Sequence, residues 1–188
     1  WSGNVIRNPP GGGEPEIVSP NLSSATAGVA VLPGGDLVIA DTARGGLQRV
    51  DLDTGGSELI LSGLEYPNGV AVHRDGWVAV SEEAGERVRR VDPVTGDFVV
   101  LGTELPGANG VTFSPDWNTL YVGSFGEGTV HAIPLDAEGA SGPAELFGRT
   151  TGPGSPFGSN HNGIDGIGTD VCGNVYVSIW MVEIGSVL

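Results

Sequence analysis

A fourfold internal repeat constrains this chain more than any other feature. The segment GVAVLPGGDLVIAD, beginning at Gly28, returns as GVAVHRDGWVAVSE from Gly69, GVTFSPDWNTLYVGS from Gly110 and GIGTDVCGNVYVS from Gly166. The four glycines are 41, 41 and 56 residues apart. Repeats of this length belong to solenoids and propellers, in which a unit too small to bury its own apolar face stacks against its neighbours.

Each unit opens with a short apolar alternation such as Val70, Ala71, Val72, then a Gly/Asp/Asn turn, then a second such run, Val78, Ala79, Val80. That pattern is a β-hairpin. A third strand is expected in GGLQRVDLDTG, GERVRRVDPVTG and GTVHAIPLDAEG, and a fourth in SELILSG, DFVVLGT and AELFGRT. Four antiparallel strands per unit of ~40 residues match a propeller blade. Helical periodicity is absent, and leucine-rich or helical repeats lack this strand count. The predicted fold is therefore all-β, a β-propeller of four-stranded antiparallel blades with about four blades present.

The expected organisation is a single partial domain. Residues 1–27 close a preceding blade, and residues 28–68, 69–109 and 110–165 form successive blades. The last of these carries a Gly/Pro/Ser-rich insertion at 147–163, and residues 166–188 begin a further blade. GNVIRN and PEIVS near the start align with third and fourth strands, and GSVL at the end aligns with another third strand. Missing strands are thus expected before Trp1 and after Leu188, as in a fragment of a six-bladed ring. Closure into four blades would duplicate one strand position. An isolated fragment would expose two blade faces and is expected to self-associate.

Composition narrows the partners. Eight arginines and no lysine face 23 acidic residues, a net charge of −15. Phosphate binding needs a cationic surface, so nucleic acid is excluded as an expected partner. No run of ~18 apolar residues marks a membrane span. A lone Cys172 allows neither an internal disulfide nor a multi-thiolate zinc site, and is expected to be a small buried hydrophobe. The sequence leaves the compartment open.

The residue before each repeat glycine reads Ala27, Asn68, Asn109 and Asp165. At the hand-over from one blade to the innermost strand of the next, this position faces the axial channel. Three oxygen-bearing side chains would then converge there, a donor set suited to a hard cation such as Ca²⁺. The plainer reading is that Asn-Gly and Asp-Gly are ordinary turn dipeptides, used for their tolerance of left-handed backbone.

The segments YPNGVAV, GANGVTFSPDWNTLYVGS and GIDGIGTDVCGNVYVS resemble those of the SMP-30/gluconolactonase-like six-bladed propellers, a pattern shared with paraoxonases and strictosidine synthase-like proteins. The resemblance covers nearly the whole chain. It implies a divalent cation in the channel, usually Ca²⁺, with Zn²⁺, Mg²⁺ or Mn²⁺ as alternatives. Its ligands would be a Glu expected upstream of Trp1, Asn109 and Asp165. It also implies hydrolysis of a small-molecule lactone or related ester, with Asn68 facing the substrate and Asp165 as the carboxylate that takes a proton from water. A non-catalytic binding module and a strictosidine synthase-like, non-hydrolytic enzyme are the alternatives.

His161 and Asn162, in the insertion, lie within reach of the channel mouth by sequence, which makes His161 a candidate substrate contact. His73 and His131 are expected to be chemically silent. Trp77, Trp117 and Tyr121 should pack between blades, and Glu82, Glu83 and Glu127, which follow second strands, should be solvated loop carboxylates. No nucleophile elbow or phosphate loop appears.

Overall fold

The computed structural model describes residues 3–140, 142–150 and 162–181. The regular elements are all strands. A two-stranded sheet, β1 (Gly3–Arg7) with β2 (Glu16–Leu22), precedes three four-stranded antiparallel sheets. The first is β3 (Thr26–Val31), β4 (Leu37–Asp41), β5 (Gly46–Val50) and β6 (Ser57–Ser62). The second is β7 (Pro67–Val72), β8 (Val78–Glu82), β9 (Arg87–Val91) and β10 (Phe98–Gly102). The third is β11 (Ala108–Phe113), β12 (Thr119–Ser124), β13 (Thr129–Pro134) and β14 (Glu145–Arg149). A last hairpin joins β15 (Asn162–Thr169) to β16 (Val175–Met181).

Strand order within each full sheet follows sequence order, and the first strands pack on one another in series, β3 on β7, β7 on β11 and β11 on β15. This is the propeller arrangement, each sheet stacked face to face on the next. The second strands are buried on both faces for that reason. In β8, Val78 and Val80 join Val38, Leu47 and Leu64 of the preceding sheet, while Ala79 joins Val111, Phe113 and Leu120 of the following one. Each such aliphatic side chain contributes ~1.5–3 kcal/mol on burial.

The hairpin turns obey one rule with an exception. Gly35, Gly76 and Gly173 take left-handed φ at the same turn position, and Trp117 holds that position in the third sheet at φ 67°. A bulky residue there costs ~1–3 kcal/mol. Burial offsets it: Trp117 packs edge-on to His73, whose ring also stacks on Trp77 and meets Phe113, and His73 Nε2 lies 3.3 Å from the Trp117 carbonyl. Tryptophans 77 and 117 thus pack between sheets as expected, whereas Tyr121 stacks on Phe147 within its own sheet.

The equivalent turn of the last hairpin carries Cys172, and here the expectation fails, because the thiol is exposed. The turn is held by polar groups instead. The side chain and backbone of Asn174, the Tyr176 hydroxyl and the Cys172 N–H all donate to Asp170, whose carboxyl is lowered to about 2.

Glu82 is a second correction. Rather than a solvated loop carboxylate, it is fully buried at the end of β8. Arg87 Nε donates to it at 2.8 Å, Arg89 closes a second ion pair, and the Glu65 N–H donates at 2.7 Å. Asp41 and Ser124 end the second strands of the neighbouring sheets and are buried in the same way, each binding the loop that leads into the third strand. The acceptor at this position pairs a backbone N–H that the local turn leaves outside the strand ladder. Desolvation, the largest influence on Glu82, opposes its ionisation, but the hydrogen bonds from Arg87, Arg89 and Glu65 together outweigh it and hold the carboxyl below its usual range.

Two outcomes are expected. Because the folded value of Glu82 lies below an unfolded value of about 4.3, the unfolded chain binds the proton more readily. Its stabilisation is complete at neutral pH and is lost as pH falls through the folded value. Urea unfolding of Glu82→Gln should therefore show a loss of ~3–5 kcal/mol at pH 7 and a shallower decline below about pH 4 than the parent. Gly69→Ala should cost ~3 kcal/mol, since a Cβ there would overlap the Asn109 carbonyl oxygen. Gly34→Ala, with open space around it, should stay within about 0.5 kcal/mol.

Candidate functional site

Each first strand is broken by a β-bulge at the same place. Thr26 pairs with Asp41 but Val29 with Ile39, Pro67 with Glu82 but Val70 with Val80, and Ala108 with Ser124 but Val111 with Val122. The last hairpin repeats it, Ile164 pairing with Ile179 and Ile167 with Val177. In these four bulges Ala27-Gly28, Asn68-Gly69, Asn109-Gly110 and Asp165-Gly166 are the pairs that face a single residue of the partner strand. The turn-dipeptide reading is thereby corrected, for these pairs lie inside strands and none of their glycines has left-handed φ. A bulge frees its residues from the ladder and re-aims their side chains.

The glycines are required by proximity. A Cβ on Gly28 would lie 2.6 Å from the Asn68 carbonyl oxygen, and one on Gly110 would lie 2.6 Å from that of Asp165. Each repeat glycine therefore rests on the backbone of the next bulge, and the bulged residues of successive strands become neighbours. They line one open cavity of about 320 Å³ to which Ala27, Asn68, Asn109 and Asp165 all contribute. Residues separated by about forty positions or more in sequence meet in this way.

Within the cavity the three polar side chains differ. Asp165 is exposed and Asn68 half-buried, while Asn109 is only 4% exposed. Among the described residues nothing hydrogen-bonds the Asn109 side-chain amide. An amide at a cavity wall to which no described residue hydrogen-bonds is a place where a ligand can bind. Asn68 Nδ2 donates to Glu83 Oε2 at 2.8 Å.

Ser81 ties two bulges together. Its buried hydroxyl accepts from the Gly69 N–H at 2.8 Å and lies 2.5 Å from the Asn109 carbonyl oxygen, to which it donates. Ser178 occupies the matching place in the last hairpin and accepts from the Gly166 N–H at 2.7 Å. Glu83 and Ser81 are the residues that reading the sequence missed. Glu83, expected to be solvated, is half-buried against Asn68. Pairing of the hairpin places Glu82 across from Pro67 and Ser81 across from Asn68-Gly69, with Glu83 one position on beside Tyr66, which is the signal that could have found both.

The donor set suits a hard divalent cation: one carboxylate, from Asp165, and amide oxygens from Asn109 and Asn68. Among the described residues no three His, Cys, Asp or Glu side chains gather into a metal site. These three oxygens fall short of the 6–8 that Ca²⁺ takes, so further ligands or water are needed. His161 and most of the 147–163 insertion lie outside the described residues. Glu127 is exposed, as expected, on the loop after β12.

Comparison with known proteins shows the family and the fold. The family described as the SMP-30/Gluconolactonase/LRE-like region matches residues 24–187. A gluconolactonase from Xanthomonas campestris superposes with a TM-score of 0.70 at 22% identity, covering 87% of this chain and 59% of that one. Regucalcin from Agrobacterium tumefaciens, a calcium-binding protein, gives 0.67 at 23% identity, covering 89% and 57%. Virginiamycin B lyase from Staphylococcus aureus gives 0.69 at 14%, covering 92% and 55%. The chain thus spans between 55% and 59% of the length of these structures. No curated protein sequence matches.

Replacement of Ser81 by Ala should leave the Gly69 N–H buried without an acceptor, a loss of ~1–3 kcal/mol. Chemical denaturation of the variant checks this, with Ser178→Ala, at the more exposed hairpin, expected to lose less.

Proposed function

The chain belongs to the SMP-30/gluconolactonase/LRE-like family, and from that premise we propose that it supplies the axial site of a metal-dependent lactonase or related esterase. The observation that carries this reading is the convergence of Asn68, Asn109 and Asp165 on one cavity through equivalent bulges.

Asn109 and Asp165 are the residues that would hold a divalent cation, with Ca²⁺ favoured by the all-oxygen donor set. Such an ion, when bound, supplies Lewis acidity toward an ester carbonyl. The remaining work falls to the chain. Asn68, on the bulge next to that of Asn109, orients the substrate. Asp165, the one carboxylate among the four bulge positions, accepts the proton of a water that adds to the lactone carbonyl carbon. As the ring C–O bond breaks, the same proton passes to the departing alkoxide, and a hydroxy acid leaves. The amide donors add no charge, which keeps Asp165 as the local base.

Titration calorimetry of the full-length protein with Ca²⁺ should give stoichiometric binding, abolished in Asp165→Ala, and glucono-1,5-lactone hydrolysis should fall at least ~100-fold in the same variant. Unchanged binding and turnover in Asp165→Ala would sink the reading.

A further inference from the structure

We propose that Glu83 is a positioning residue that locks the Asn68 amide with its carbonyl oxygen toward the axial cavity, so that the site selects ligands presenting a hydroxyl group there. The inference deepens the lactonase reading and rests on it for the identity of the ligand.

An asparagine amide has a donating and an accepting end, and an ionised carboxylate can only accept. The 2.8 Å contact from Asn68 Nδ2 to Glu83 Oε2 therefore decides which end is engaged. The oxygen leaves the same carbon in the other direction, and Asn68 lines the axial cavity. Without Glu83 the amide is free to turn its NH₂ group inward and offer donors. An inward acceptor pairs with a hydroxyl; an inward donor would not distinguish a hydroxyl from any carbonyl or ring oxygen.

The carboxylate is dispensable for the fold at this position. Glu83 donates its backbone N–H to the Tyr66 carbonyl at 3.0 Å, which fastens the loop after β8 to the start of β7. In the next sheet Phe125 makes the same bond, to the Gly107 carbonyl at 2.8 Å, with a side chain that accepts nothing. The backbone does the structural work in both sheets. Among the described residues Glu83 is the one carboxylate at this loop position, and it pairs with the bulge residue Asn68.

The test compares glucono-1,5-lactone, which is polyhydroxylated, with δ-valerolactone, which has no hydroxyl group. In the full-length protein, Glu83→Ala should raise the ratio of their KM values about tenfold with kcat little changed, the loss of one oriented hydrogen bond. Glu83→Gln keeps an acceptor oxygen and should restore most of the ratio. In an Asn68→Ala background the Glu83→Ala change should be silent, since Glu83 acts through Asn68. An unchanged ratio, or an undiminished effect in that background, overturns the proposal. Turnover of neither lactone by the parent protein would mean that the lactonase reading has failed, and hydroxyl selection falls with it. The positioning itself is then decided by the Asn68 side-chain amide resonance, assigned through its loss in Asn68→Ala. It should move in Glu83→Ala and stay near its parent position in Glu83→Gln; an unmoved resonance in Glu83→Ala overturns the positioning as well.

Discussion

Backbone meets backbone where the first strands converge, and the rest of the molecule is arranged around that contact. Gly28, Gly69 and Gly110 each bring a Cα against the carbonyl of the next strand, at distances no side chain allows. Sheets radiating from an axis must crowd at their inner edges, and only glycine relieves the crowding there. Once the inner edges touch, the faces behind them close on Val, Leu and Ile, and burial of both sides of β8 follows. The period of the sequence and the geometry of the axis are thus one requirement expressed twice.

A second requirement is the satisfaction of polar groups that the stacking buries. Asp41, Glu82 and Ser124 stand at one structural position with three chemistries, and each accepts from the loop beside it. Glu82 alone recruits two arginines. An ion pair so deeply placed gains little net stability over an apolar substitute but penalises any arrangement that separates it. Ser81 works on a smaller scale, joining one bulge to the next through a single hydroxyl.

The repeat made the fold legible: alternation, turn residues and period all point to blades, and the strands lie where those signals place them. The convergence of Asn68, Asn109 and Asp165 was legible too, because equivalence in a repeat implies proximity around an axis. Less visible was the reason for the glycines, since Asn-Gly in isolation reads as a turn and the bulge appears only once strands are paired. Burial of Glu82 and the engagement of Glu83 were hidden for a related cause. A charge pattern carries no information about which arginine or amide lies across the hairpin. Cys172 misled because its type is commonly buried, whereas its position is a turn tip that the Asp170 network holds at the surface.

Ala27 occupies the first of the four bulges and offers the cavity only a methyl group, yet its strand keeps the bulge, the close glycine and the packing of the others. Scaffold and cavity lining are therefore written in different residues here: the glycine carries the close contact and its predecessor the side chain that faces the cavity. The residue before each glycine can thus change from blade to blade, polar or apolar, without disturbing the contact on which the stacking of the sheets rests.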